Sequence, residues 1–250
     1  MNPIEPIDLY RLIVKGSYPE LYSNPNINID NFYSSYIQSY IERDVSSLII
    51  VKNKLAFRKF MELIASLTGQ EIIYDNIAKM IGVDKKTIMC WISILLAGDI
   101  IYLLEPYFDF SLTKRIIKRP KIYFTDTGLA CYLAKLNNPD FLLKSAFGGR
   151  FVETYIINEL RKNYFNNGKE PNFYYYRDSN MNEIDLIVVD HGIIHKVECK
   201  SGMTYNSFAT KSFKVLSKTM YENGTDILIC LTKTLYKLEN GVLVIPVTAI

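Results

Sequence analysis

The apolar positions of the chain repeat first at helical spacing and later at strand spacing. Over positions 30–50, Phe32, Tyr36, Tyr40 and Val45 recur near every fourth residue, which predicts a helix with Asp30 as its N-cap. A second helical run covers 56–67 and stops at Gly69. Two shorter runs follow, 74–81 ending at Gly82 and 85–98 capped by Asp84, the latter with Ile88, Trp91, Ile92 and Leu95 on one face. Residues 100–104 and 121–125 then read as strands. Helix, helix, turn, helix and a two-stranded hairpin is the order of a winged helix. Positions 1–28 are rich in Pro and Asn and read as an extended, loop-rich lead-in.

A short helix is expected over 127–136, and Asn137-Asn138-Pro139 breaks the chain. A long helix over 150–165 ends at Asn166-Asn167-Gly168. Beyond it the pattern turns strand-like, with strands expected over 173–177, 183–189, 193–200, 226–231 and 242–247 and a helix over 206–221. Asp190-His191-Gly192 reads as the hairpin turn. The expected organisation is a lead-in and helical arm (1–55), a winged-helix domain (56–140) and an α-β-β-β-α-β domain (147–250), an α/β or α+β chain overall.

Candidate chemistry sits on the hairpin EIDLIVVDHGIIHKVECK. Residues two apart on a strand share a face, so Lys196, Glu198 and Lys200 point one way, and Asp185 shares a face with Glu183 on the neighbouring strand. The hairpin brings Asp185 beside Glu198. Two buried carboxylates side by side repel unless a cation lies between them. That arrangement suits metal-assisted phosphodiester hydrolysis, with carboxylate oxygens holding Mg²⁺ and Lys200 positioning a water. Glu153, on the preceding helix, is the natural third carboxylate. The bland alternative is an ordinary surface ion pair between Glu198 and Lys200. His191 and His195 read as turn and core residues, and Trp91 as core.

The stretch SLTKRIIKRPK between the first two strands carries Lys114, Arg115, Lys118, Arg119 and Lys121. A basic wing can hold nucleic-acid phosphates, and Lys85 and Lys86 at a helix start can join it. A solvated loop or a protein-facing surface fits the wing equally well. Composition adds little, because a net charge of +3 is compatible with nucleic acid without arguing for it. The frequent Tyr, Asn, Ile and Lys read as codon bias, which weakens any stacking argument for a given tyrosine. Four scattered cysteines without a CxxC pair argue against a zinc knuckle or a disulfide framework, and for a reducing, cytoplasmic setting. Neither a signal peptide nor a membrane span is expected.

The segments GSYPEL, SYIQSYIERDV, LIASLTGQ, TKRIIKRPKIYFTDTGLACYL, FVETYIINEL, YYYRD, NEIDLIV and VECK resemble, in order, the C-terminal region of a prokaryotic family of AAA-type ATP-binding proteins. The resemblance covers about residues 10–200; its most specific pieces are KRPKIYFTDTGL and the spaced E…D…ExK set. It implies a winged helix followed by a PD-(D/E)XK nuclease-like domain, with Glu153, Asp185, Glu198 and Lys200 as the matching site residues and Glu183 and Arg177 in accessory positions. It also implies an ATPase partner. The sequence has no GxxxxGK[ST] loop, so no ATP site is expected here and the chain reads as a version without the ATPase half. Two functions remain open: a Mg²⁺-dependent nuclease acting on DNA or RNA, or an inactive recognition module of a separate or missing ATPase.

Overall fold

The computed structural model describes residues 4–40, 54–108 and 119–250. Expectations for 41–53 and for Lys114, Arg115 and Lys118 therefore lie outside the described residues.

The supposed lead-in is helical. Helix α1 (Pro6–Lys15) buries Leu9, Tyr10, Ile13 and Val14, and α2 (Pro19–Ser23) buries Leu21. Proline, read from the sequence as a breaker, sits here at the first helical turn, where its missing N–H costs nothing. Helix α3 (Ile29–Ser39) is capped by Asn28, whose side chain accepts the Asn31 N–H, rather than by Asp30.

Three helices and a small sheet follow: α4 (Lys54–Ser66), β1 (Gln70–Glu71), α5 (Tyr74–Ile81), α6 (Lys85–Ala97), β2 (Ile101–Leu104) and β3 (Lys121–Phe124). The sheet is antiparallel in the order β1-β3-β2, so a third strand joins the expected hairpin. Asp84 caps α6 as expected, accepting the Thr87 N–H, and Gly82 ends α5 in the left-handed conformation that glycine adopts without strain. Trp91 is core, edge-on to Phe57 at 5.3 Å between centroids.

Helices α7 (Thr127–Leu133) and α8 (Pro139–Lys144) lead to the long α9 (Gly148–Asn166). The larger sheet runs β4 (Phe173–Arg177), β5 (Glu183–Asp190), β6 (Ile193–Cys199), β8 (Ile227–Cys230), β10 (Leu243–Pro246), β9 (Tyr236–Lys237), with β7 (Glu222–Asn223) beside β6. Strands β4, β5 and β6 are antiparallel neighbours, and β8 lies parallel to β6 and β10 to β8. The connection expected as a helix over 206–221 is a 3₁₀ segment, Ser207–Leu216, with non-helical backbone at Thr210.

Both faces of this sheet are covered, so its strands read as apolar runs rather than strict alternation. Leu186, Val188 and Val197 belong to a buried cluster that also takes in Phe151, Val152 and Ile156 of α9, and that extends back to Leu9 of α1. Ile187, Val189, Ile194, Leu228 and Val244 pack with Phe213 and Leu216 in a second cluster. The first cluster is continuous through both halves of the chain, and polar bonds follow the same seam. Thr68 Oγ1, just after α4, lies 3.1 Å from Thr154 Oγ1 on α9 and accepts the Phe124 N–H of β3. Among the described residues no helix is long and apolar enough to cross a membrane.

Candidate functional site

Strand pairing places the carboxylates. Leu186 lies opposite Val197, so Asp185 and Glu198 are the next positions along the β5–β6 pair. The Asp185 carboxylate reaches across to accept the Cys199 N–H at 2.9 Å, which fixes its position on the sheet. Lys200 follows the end of β6, and its backbone N–H is tied to Ile229 on β8 at 2.9 Å. From there its ammonium pairs with Glu198 Oε1 and stands 3.9 Å from Asp185 Oδ2. One cation therefore stands by two carboxylates on adjacent strands, where the spacing leads one to expect a lysine neutralising one of them.

The surface ion-pair alternative does not describe this pair. Glu198 is 7% exposed and Asp185 8%. Glu198 Oε2 is buried with no hydrogen-bond partner among the described residues. Burial raises the Glu198 carboxyl, the Asp185 charge raises it further, and Lys200 only partly compensates, leaving it at about 8. An exposed pair is worth about 0–1 kcal/mol, whereas each buried ion costs several kcal/mol in lost hydration. A carboxylate kept in that position is a functional-site candidate rather than a stabilising contact.

Glu153 projects from α9, whose flanking Phe151, Val152 and Ile156 are buried against the sheet. Its Oε1 accepts from Lys121 Nζ at 3.1 Å and from the Tyr123 hydroxyl at 2.5 Å. Burial raises the Glu153 carboxyl and Lys121 opposes that rise. Lys121 also pairs with Glu183 Oε1 at 2.6 Å. Burial alone would lower the Lys121 ammonium, but Glu153, Asp185 and Glu183 outweigh it and hold the lysine charged. Arg177 of β4 bonds Glu71 of β1 at 2.9 Å and lies 3.8 Å from Glu183.

Several expected placements change. Lys121 was grouped with the basic wing, yet it is 3% exposed and belongs to the carboxylate cluster. Only the alternation along KIYF, which puts Lys121 and Tyr123 two apart on one strand, signalled that pair. Lys196 was placed with Glu198 and Lys200, but its ammonium goes to Asp226 at 3.2 Å and Asn223 at 3.3 Å. His191 is exposed at the turn, and His195 accepts the Thr225 N–H; neither touches the cluster. Lys85, Lys86 and Arg119 are exposed, and Lys85 is paired with Asp75 at 2.9 Å.

Among the described residues no three His, Cys, Asp or Glu side chains converge as a group able to hold a metal ion. Lysines stand between the carboxylates instead. The donor set still fits Mg²⁺ in a more restricted way. Mg²⁺ is commonly held by one or two carboxylates, with waters and substrate phosphates completing the shell. Asp185 and the unpartnered Glu198 Oε2 supply such a pair, while the Oε1 of Glu153 is already engaged by Lys121 and Tyr123.

Comparison with known proteins gives relatives without an assigned activity. The uncharacterized proteins Mb2031c of Mycobacterium bovis and Rv2008c of Mycobacterium tuberculosis are each 26% identical to the chain over 196 residues. That match covers 78% of this chain but 43% of each relative, so the chain spans less than half the length of these curated relatives. No solved structure matches it. Residues 148–250, which contain Glu153, Glu183, Asp185 and Glu198, match a domain of unknown function (DUF4143). Residues 7–140, more than half of the chain and the source of Lys121 and Tyr123, match another domain of unknown function, and by that match the protein belongs to the DUF8612 family.

Proposed function

We propose that the cluster around Asp185, Glu198 and Lys200 is the centre of a Mg²⁺-dependent nuclease, carried by a PD-(D/E)XK-type domain over 147–250. One observation carries this reading: Glu198 Oε2 is buried and unpartnered beside a second buried carboxylate, an arrangement that calls for a cation. The order α9-β4-β5-β6, with β8 parallel to β6 after the 3₁₀ segment, supports the fold assignment. The order α4-β1-α5-α6-β2-β3 supports a winged helix, whose exposed Lys85, Lys86 and Arg119, with Lys114, Arg115 and Lys118, would meet phosphates. The match to DUF4143, a family associated with AAA ATPases, supports an ATPase partner in the same chain or another.

In this mechanism Asp185 and Glu198 would hold the Mg²⁺, which supplies charge stabilisation at the phosphate and an acidified water. Asp185 is pre-set for that task by the Cys199 N–H, so its carboxylate needs no reorganisation. Lys200 has three donors and reaches both carboxylates, leaving it placed to orient a water against the phosphate. Glu153 adds negative charge next to the pair and is held in place by Lys121 and Tyr123.

A second reading is favoured by one observation. The lysines already neutralise the carboxylates, and no three-ligand group exists among the described residues. On that reading the fold is an inactive recognition module of an ATPase. Incubation with plasmid, single-stranded DNA and RNA in Mg²⁺ or Mn²⁺ separates the two. The nuclease reading expects cleavage of at least one substrate, lost in Asp185→Ala and Lys200→Ala. Folded wild-type protein that cuts none of them supports the module.

A further inference from the structure

The carboxylate cluster is not assembled from residues 148–250 alone. Lys121 opens β3 of the small sheet, in the preceding family unit, yet its ammonium contacts Glu153 Oε1 and Glu183 Oε1. Tyr123, two residues along the same strand, donates to the same Glu153 oxygen. Neither bond uses Glu153 Oε2. The start of the strand is held as well: the Tyr175 hydroxyl of β4 donates to the Arg119 carbonyl, two residues before Lys121. An ionic link also runs the other way, from Arg177 of β4 to Glu71 of β1. Hydrogen bonds and ion pairs of both signs thus cross the seam where the carboxylates stand.

A lysine that is 3% exposed has little access to a nucleic-acid phosphate, so phosphate binding is a poor account of it. A plain structural lock is the competing account. Arg177 and Glu71 already supply a lock of that kind at the same seam, and their bond involves none of Glu153, Asp185 or Glu198. Lys121 differs in reaching Glu153 as well as Glu183, which Arg177 meets only at 3.8 Å, and Tyr123 doubles the hold on Glu153. Groups that orient carboxylates around a metal change its affinity even though they never touch it.

We propose that Lys121 is a positioning residue for the metal site, fixing the Glu153 charge next to the Asp185 and Glu198 carboxylates that would hold the metal, so that the DUF8612 unit completes a site borne by the DUF4143 unit. This rests on the nuclease reading and adds to it that the second unit is not self-sufficient.

The test is calorimetric titration of the full chain with Mn²⁺, on wild type, Lys121→Met, Lys121→Arg, Tyr123→Phe and Asp185→Ala, each first checked for a cooperative melt. Lys121→Met, which frees Glu153 from its place beside the ligand pair, is expected to weaken Mn²⁺ binding about 10-fold, the low end of the range for outer partners of a metal site. Lys121→Arg keeps the charge and should retain more affinity than Lys121→Met. Tyr123→Phe removes one bond to Glu153 and no charge, so it should cause a smaller loss in the same direction. If Lys121→Met does not fold, Tyr123→Phe decides, and wild-type affinity in that variant overturns the proposal. Wild-type affinity in folded Lys121→Met, with binding lost in Asp185→Ala, overturns the positioning role and leaves the nuclease reading intact. Absence of Mn²⁺ binding in the wild type overturns both.

Discussion

Two buried carboxylates in this chain live under opposite regimes. Asp126, just before α7, is 5% exposed and fully satisfied by neutral donors. Its Oδ1 accepts from the Tyr33 hydroxyl at 2.9 Å and the Leu129 N–H at 2.7 Å; its Oδ2 accepts from the Ser17 N–H at 2.7 Å and the Ser17 hydroxyl at 2.9 Å. The backbone yields to it: an added Cβ at Gly16 or Gly128 would strike the Tyr33 hydroxyl. Glu198 is buried to a similar degree but has one oxygen without a partner, a second carboxylate beside it, and a lysine shared with that neighbour. Asp126 joins GSYPEL to TDTGL and holds the fold together. Glu198 works against the fold, and burial at such a cost points to chemistry.

The largest expected effect lies on the Glu198 side of the comparison. In a nuclease, Asp185→Asn should cut the cleavage rate by about 10³-fold or more, as loss of an essential catalytic group does, with little change in the urea midpoint because the amide oxygen still accepts the Cys199 N–H. A loss of cleavage matched by a loss of stability would place Asp185 with Asp126 as a structural group. Asp126→Ala should do the reverse. It removes a helix cap, leaves the buried Leu129 N–H without its acceptor and breaks the link to Ser17, a loss of about 2 kcal/mol or more in urea denaturation. An Asp126→Ala midpoint within about 0.5 kcal/mol of wild type would break the contrast.

Much of this contrast is legible before any coordinates. Asp185, Glu198 and Lys200 meet because a hairpin of known turn position and period-2 strands leaves them few alternatives. Asp126 is recognisable as a cap because it directly precedes a helical run. What escapes is long-range. Nothing local in KRPKIYF says that Lys121 turns inward to carboxylates about 30 and 60 positions along the chain while Arg119 stays exposed. Nothing local in GSYPEL says that Ser17 closes on Asp126, 109 residues away. The α1 and α2 helices were misread for a different reason. Pro6 and Pro19 look like breakers in a linear reading, but at a first turn proline is compatible with a helix. Alternation gives the face of Lys196 but not its reach: its ammonium extends to Asp226 at the neighbouring strand's start.

The pH dependence of stability sharpens the comparison next. The Glu198 carboxyl is raised from 4.5 to about 8 in the folded, metal-free protein. Between those values the folded state binds a proton that the unfolded chain does not. Stability from this group is therefore fully present below about pH 4.5 and is lost as pH rises through about 8. Urea titrations in EDTA should show the decline, amounting to no more than a few kcal/mol because Asp185 and Lys200 titrate with Glu198. Glu198→Gln cannot lose that proton and should flatten the decline, ending about 1–2 kcal/mol above wild type at pH 8. Identical pH profiles for the two proteins would show that Glu198 is as well satisfied as Asp126.

The smallest effect concerns cations rather than carboxylates, and extends the same contrast to them. Lys121 and Lys200 are committed to carboxylates, while Lys86 and Arg119 are exposed. Exposed cations that meet phosphates release counterions, so each contact removed should lower the slope of log affinity against log salt by about 0.9 on duplex DNA. Lys86→Ala with Arg119→Ala should thus reduce the slope by up to about 2, with affinity falling alike for all sequences. Lys85 has a weaker claim, because its ammonium already pairs with Asp75, and Lys85→Ala should change the slope less than Lys86→Ala. An unchanged slope in the double variant, with duplex binding intact, would assign this surface to a protein partner. It would leave Lys121 and Lys200 as the cations that matter to the site.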